Sequence, residues 1–107
     1  IVRDNECGAV QQNTTGNAGT LYSIEIDNSS NSDSGVYFKL ADSATATIGT
    51  TAPTIQIYVP ASKRRSVVFP KGIAFTAGFT HWCTTGAADT DTTLQSSPLP
   101  DVWYLTS

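Results

Sequence analysis

The sequence predicts an all-β domain in which two antiparallel sheets pack as a β-sandwich of the jelly-roll type. Apolar and polar residues alternate with a period of two in six or seven short segments, which recur at intervals of roughly ten residues. Runs rich in Asn, Ser, Gly, Thr and Pro separate these segments, as expected of turns. No long stretch shows the helical period, and the strong helix formers Glu, Lys, Leu and Met are scarce.

The length of 107 residues fits a single domain. Residues 1–18 are rich in Asn, Gln, Gly and Thr and have little periodicity, so we expect an extended amino-terminal arm that docks on neighbouring molecules. Residues 19–107 then form the β-sandwich domain. The chain starts at Ile1 without a methionine, and a processed start and a trimmed start fit this equally well.

The first two strands are predicted on either side of a polar loop. Residues 21–27 alternate cleanly between apolar and polar side chains, and residues 36–41 do so again. The intervening residues, 28–35, are Asn, Ser, Asp and Gly, which satisfy local backbone groups and tolerate turn dihedrals. We therefore expect an antiparallel pair joined by a long loop.

Later segments supply the remaining strands. We expect strands over residues 55–59, 67–75, 79–85 and 102–106. In the segment 79–85 both alternating faces carry bulky side chains, which indicates a strand covered on both sides. Residues 86–100 are predicted to form a long polar loop.

Charge and composition exclude several classes of partner. The formal net charge is −3 and the isoelectric point is near 4.7, whereas nucleic-acid binding draws its affinity from clustered Lys and Arg. No apolar run approaches the roughly 18 residues that cross a bilayer. Charged residues make up 14% of the chain, below the roughly 25% of ordinary domains. A neutral, hydroxyl-rich surface of this kind is common in extracellular and virion β-proteins.

The reactive side chains do not combine into an active site. His81 is the single histidine, and it lies two residues from Cys83 on one strand face. We therefore interpret it as a packed or interface histidine and expect no enzymatic activity. A metal site from Cys7, Cys83 and His81 has three ligands at most and lacks the usual spacing, so no metal or cofactor is predicted. The two cysteines fit two free thiols or one disulfide equally well. Asp89 and Asp91 fit an Asx-rich turn better than a calcium loop.

Two groups of residues are candidates for contacts with other proteins. We predict a basic turn at residues 63–65, which holds half of the six basic residues in an acidic chain. This turn is either solvated or docks on an acidic neighbour. Aromatic side chains are enriched in cores and subunit interfaces, and an aromatic platform for sugar is the alternative interpretation. The predicted interface residues are Lys63, Arg64, Arg65, Trp82, Trp103 and Tyr104.

Four segments resemble small structural proteins of tailed bacteriophages. They are VYFKLAD at 36–42, PTIQIYVP at 53–60, VVFPKGIAFTAGF at 67–79 and TTGAADTDTT at 84–93. The segments follow one another in order and cover about half of the chain. The first 20 residues and the Trp-containing carboxyl terminus lie outside the resemblance.

The resemblance implies a virion protein without catalytic residues. The favoured function is a capsid decoration or cement protein that bridges major capsid subunits, works as a dimer or trimer, and binds neither nucleic acid nor membrane. The alternative is a tail or fibre component that attaches to the host, with glycans as one class of ligand. An exposed aromatic cluster at an edge of the sandwich would favour the alternative.

Overall fold

The computed structural model describes residues 2–8, 11–12, 18–95 and 98–106. Across these residues the structure is all-β, with eight strands and no helix. The strands are β1 (Val2–Asp4), β2 (Gln11–Gln12), β3 (Gly19–Asp27), β4 (Val36–Asp42), β5 (Ile55–Val59), β6 (Arg64–Phe75), β7 (Phe79–Thr84) and β8 (Asp101–Thr106). The prediction of an all-β chain is confirmed.

Two four-stranded antiparallel sheets pack face to face. Sheet one has the order β1-β8-β3-β6, and sheet two has the order β2-β7-β4-β5. Every strand in the first half of the chain pairs with one in the second half: β1 with β8, β2 with β7, β3 with β6, and β4 with β5. The pairing is therefore nested, with the β4–β5 hairpin at its centre.

The core lies between the two sheets and is built by the alternation seen in the sequence. Sheet one turns Leu21, Ile24 and Ile26 inward, and sheet two turns Phe38 and Leu40 toward them. All five side chains are almost fully buried, and burial of a side chain of this size stabilises the fold by roughly 1.5–3 kcal/mol. The alternate residues of β3 and β8 point outward from sheet one.

Strand β7 is buried on both sides, as its sequence predicts. All six of its residues are buried. On the outer side of sheet two, the segment after β7 covers Trp82 and the neighbouring Lys39. The Lys39 ammonium donates a hydrogen bond to the carbonyl of Ala88 at 2.9 Å. Burial lowers the pKa of Lys39, while the nearby carboxylates of Asp91 and Asp89 oppose that shift.

The predicted turn at residues 63–65 is wrong, because β6 begins at Arg64 and continues to Phe75. Arg64 and Arg65 lie opposite Asp27 and Ile26 in the ladder with β3. The strand also passes through Pro70, which has no amide hydrogen. This is possible because β6 is an edge strand, where one side of the backbone needs no partner.

The described parts of residues 1–18 run along the sandwich. Strand β1 pairs with β8 at the edge of sheet one, and β2 pairs with β7 at the edge of sheet two. Between them the chain crosses from one sheet to the other, and the Cys7 amide donates to the carbonyl of Pro100 at 3.0 Å. Within residues 2–8 and 11–12, the expected arm therefore consists of two edge strands; residues 1, 9–10 and 13–17 lie outside the described part.

The loop between β3 and β4 is held by buried amide side chains. Asn28 donates to the carbonyls of Ser34 and Pro60, and Gln95 donates to Asn28 Oδ1 at 3.1 Å. Asn31 Oδ1 accepts from two backbone amides within the same loop. The predicted loop at 28–35 is confirmed, and these amides tie it to the segments before β6 and β8. The predicted antiparallel pairing of its two flanking strands is wrong, because the loop crosses between the sheets: β3 pairs with β6 and β8, whereas β4 pairs with β5 and β7.

The turn between β6 and β7 is organised by one carboxylate. Asp42 accepts hydrogen bonds from the amides of Thr76, Ala77 and Gly78 at 3.0, 2.8 and 3.3 Å. These hydrogen bonds favour the ionised carboxylate, the largest effect coming from the Thr76 amide, and they lower the pKa of Asp42. Asp42 at the end of β4 thereby links sheet two to the end of β6.

We expect Asp42→Ala to reduce the free energy of unfolding at neutral pH by about 1–3 kcal/mol, because three amides lose a charged acceptor. The folded-state pKa is lowered, so this stabilisation is complete above the unfolded-state pKa and is lost as the pH falls through the folded-state pKa. Urea unfolding at several pH values should show the two proteins converging in acid. Asp33→Ala, in an exposed loop, is the control; a constant difference at all pH values would contradict the explanation.

Candidate functional site

An apolar strip lies on the outer face of sheet one. Ser23 of β3 lies opposite Leu105 of β8 and Val68 of β6. Trp103 is two residues before Leu105 on β8 and therefore faces the same side of the sheet. Val68 is 68% exposed and Leu105 is 46% exposed. We call Val68, Trp103 and Leu105 the outer strip. Ser23 lies between Val68 and Leu105, so the exposed apolar side chains are spread over one face of the sheet, as in many protein contact surfaces.

Ion pairs border the outer strip. Arg3 of β1 bonds Asp101 at 2.9 Å, and its guanidinium lies 5.8 Å from the centre of the Trp103 ring. Arg64 of β6 bonds Asp27 of β3 at 2.8 Å, and Asp27 lies opposite Asp101 in the ladder between β3 and β8, so both ion pairs lie at the same end of sheet one. Both guanidinium groups remain about two-thirds exposed, so each pair contributes little to stability on its own. Charged groups therefore border the outer strip at that end of the sheet, and polar groups beside an apolar patch are common in protein interfaces.

The three basic residues at and just before the start of β6 differ in their surroundings. Arg64 is paired with Asp27, and Arg65 reaches toward sheet two, where it donates to the carbonyl of Tyr58 at 3.2 Å. Lys63 is exposed and forms no ion pair or side-chain hydrogen bond with the described residues. Of these three side chains, Arg64 shares a strand with the outer strip, four residues before Val68.

The predicted aromatic contacts are separated by the fold. Trp103 lies in the outer strip, but Trp82 and Tyr104 are each only 1% exposed and are covered by their own chain. Trp82 lies on the outer side of β7 beneath the following segment, and Tyr104 points into the core from β8. Of the predicted interface residues, Trp82 and Tyr104 are therefore buried within the fold, whereas Trp103 and the three basic residues remain at the surface.

A second aromatic group lies on sheet two. The rings of Tyr37 and Tyr58 are 4.7 Å apart on neighbouring strands, and Tyr58 is 42% exposed. The Tyr58 ring lies so close to Gly35 that a Cβ atom there would be 2.5 Å from the phenol oxygen. Glycine at position 35 therefore leaves the space that the Tyr58 ring occupies at the edge of sheet two.

His81 forms a buried hydrogen-bond chain. Its Nε2 is 3.0 Å from Asp4 Oδ2 and its Nδ1 is 2.9 Å from the Tyr104 hydroxyl. The hydrogen bond with His81 lowers the pKa of Asp4, while partial burial opposes the shift. Burial raises the pKa of Tyr104, and the Asp4 charge adds to this. The interpretation of His81 as a packed histidine is confirmed, because its side chain is 1% exposed.

A disulfide joins Cys7 to Cys83, which resolves the alternatives left open by the sequence. The two Cα atoms are 5.8 Å apart, within the usual range for such a bond. The link ties the crossing between β1 and β2 to β7, across a separation of 76 residues. It lies beside the His81 chain, and the ligand atoms of Asp4, Cys7 and His81 are within 4.8 Å of one another.

The acidic loop after β7 is a turn, as predicted. Asp91 Oδ1 accepts from the amide of Thr93 at 2.7 Å, and the Asp91 amide donates to the carbonyl of Ala88. Both are local backbone contacts of an Asx turn. No long apolar helix able to cross a membrane occurs in the described ranges.

Comparison with known proteins gives no match: no family model, curated protein or solved structure matches the chain. Asp4 is the residue of the buried cluster that the sequence did not reveal, because it lies 77 positions from His81 and only the β1–β8 pairing brings it there. The candidate functional sites of this protein are therefore the outer strip, the tyrosine pair and the buried cluster around His81.

We expect Tyr104→Phe to lower the free energy of unfolding by about 1–3 kcal/mol, because His81 Nδ1 loses its buried partner. Tyr58→Phe is the matched control, since Tyr58 is exposed and the same atom is removed. Urea unfolding followed by tryptophan fluorescence measures both. Equal stability of the two variants would show that the hydroxyl of Tyr104 does not hold the cluster together.

Proposed function

We propose that this protein is a structural component of a tailed-bacteriophage virion, on the capsid surface, where it serves as a decoration or cement protein without catalytic activity. Its partners are major capsid subunits and further copies of itself. The observation that carries the proposal is the outer strip, where exposed apolar side chains lie beside two ion pairs on the outer face of sheet one. The link to phages comes from the sequence resemblance over about half the chain.

We also assign the strand order to the jelly roll. The nested pairs β1–β8, β2–β7, β3–β6 and β4–β5 support this, because an eight-stranded jelly roll is one long hairpin folded into two sheets. Capsid proteins are among the proteins that use this architecture. The assignment is consistent with a virion function, although the same fold serves many others.

The contact surface has three parts in this proposal. The outer strip supplies the apolar centre, and Lys63 with Arg64 supplies the positive side that meets acidic capsid residues. The amino-terminal segment contributes through the free edge of β1, which is the outermost strand of sheet one. On the edge strand β6, Pro70 and Lys71 oppose pairing with a strand of another molecule. We therefore place self-association on the outer face of a sheet and not along this edge.

Binding to capsids tests the outer strip. We expect the double variant Val68→Asp, Leu105→Asp to bind capsids lacking this protein at least about tenfold more weakly than the wild type, since two charges replace exposed apolar contacts. Gln56→Asp, exposed on the opposite sheet, is the control for added charge. Particles saturated with wild-type protein should resist heat and low salt better than bare particles. Equal resistance, or equal binding by the double variant, would contradict the cement function.

A second candidate function is favoured by the tyrosine pair. Tyr58, which packs against the half-buried Tyr37, exposes an aromatic ring at the edge of sheet two, where a sugar ring can stack. This would suit a tail or fibre component that binds host glycans. On a glycan array we expect wild-type binding to be lost in Tyr58→Ala and retained in the double variant of the outer strip. Absence of binding to any glycan would exclude this candidate and leave the capsid function.

A further inference from the structure

Three metal-ligating side chains meet between the two sheets, beside the crossing of the amino-terminal segment, and the disulfide joins a fourth to them. Asp4 comes from β1 and His81 from β7, and Cys7 lies on the crossing between β1 and β2. The ligand atoms of these three residues are within 4.8 Å of one another. Cys83 is bonded to Cys7 and lies two residues after His81, on the same inner face of β7. The sequence alone offered three ligands; the fold adds Asp4.

We infer that reduction of the disulfide converts this cluster into a tetrahedral site for a thiophilic divalent cation, with Zn²⁺ the best match. The ligands are Asp4 Oδ2, Cys7 Sγ, His81 Nε2 and Cys83 Sγ. Two thiolates, one imidazole and one carboxylate are ligands that Zn²⁺ prefers at structural sites. In the oxidised protein both sulfur atoms are used in the disulfide, so the site exists only after reduction.

The surroundings of His81 suit a metal ligand. Its Nε2 is 3.0 Å from Asp4 Oδ2, and a cation bound by both atoms replaces the proton that they share, with a separation wider by a few tenths of an ångström. Its Nδ1 then donates to the Tyr104 hydroxyl, 2.9 Å away. Such a hydrogen bond on the second ring nitrogen fixes the tautomer and the ring orientation in most zinc-binding histidines.

A dithiol reductant can supply the electrons that open the Cys7–Cys83 disulfide. A reductant thiolate attacks one sulfur of the Cys7–Cys83 bond, and its second thiol then releases the mixed disulfide. Two electrons and two protons pass to the protein, leaving two cysteine thiols and an oxidised reductant. Binding of Zn²⁺ releases the two thiol protons, while the ring proton of the His81 imidazole passes from Nε2 to Nδ1 and leaves Nε2 free to bind the ion. Asp4 retains 13% exposure of its side chain, which provides a route for the ion and the protons.

Whether the protein holds the disulfide or the metal therefore depends on the redox state of the compartment in which it is found. Thiols persist in a reducing cytosol, whereas disulfides form outside it. In the zinc form the metal takes over the cross-link between the amino-terminal segment and β7 that the disulfide supplies in the oxidised form. The same contact between the sheets is held in both compartments by different chemistry.

Cobalt titration of the full-length protein tests the inference, since Co²⁺ reports thiolate ligands by its absorption. In protein reduced with a phosphine, we expect one Co²⁺ per chain with thiolate-to-cobalt absorption that Zn²⁺ abolishes. Oxidised protein should show none. Asp4→Asn should weaken binding at least about tenfold, and Cys83→Ser should weaken it further. Glu6→Gln, an exposed carboxylate two residues from Asp4, is the control and should bind like the wild type.

Three results would overturn the inference. The first is reduced protein that remains folded by circular dichroism but shows no thiolate-to-cobalt absorption. The second is equal affinity in Asp4→Asn and the wild type, which would indicate adventitious binding by thiols alone. The third is unfolding of the reduced chain in the presence of excess Zn²⁺, because a bound ion must hold the sheets together.

Discussion

Apolar packing between the inner faces of the two sheets is the constraint on which the rest of the molecule depends. Each sheet of four strands buries one face, and side chains such as Ile24, Ile26, Phe38 and Leu40 supply the contact. Burial of this apolar surface is the main free-energy contribution that offsets the conformational entropy lost on folding. Charged residues are few, so ion pairs add little to it. The disulfide, the His81 chain and the Asp42 turn each add to a structure that the core has already brought together.

The strands were predictable from the sequence because their alternation is a local property. Residues 21–27 and 36–41 show the period of two on their own, and both are strands in the structure. The error at residues 63–65 has a local cause, since three consecutive basic residues next to a proline and a serine are typical of a turn. The pairing of Arg64 with Asp27 depends on a strand 37 positions away, which no local pattern reveals.

The candidate sites were less predictable for the same reason. Trp82 and Trp103 look equivalent in the sequence, yet one is buried beneath the segment after β7 and the other lies in the outer strip. His81 was recognisable as a packed residue, but its partners Asp4 and Tyr104 come from opposite ends of the chain. Alternation assigns a residue to a face; only the order of strands decides whether that face meets solvent, the core or another segment.

Nested pairing also affects the order in which the protein can fold during synthesis. Strand β8 lies between β1 and β3, so it is an interior strand of sheet one although it is the last to be made. Until residues 101–106 leave the ribosome, β1 has no neighbour and one edge of β3 stays open. Most contacts join residues far apart in the chain, which slows folding. A nascent chain therefore exposes unpaired strands for longer than a helical domain of equal length would, and chaperone binding during translation would protect it.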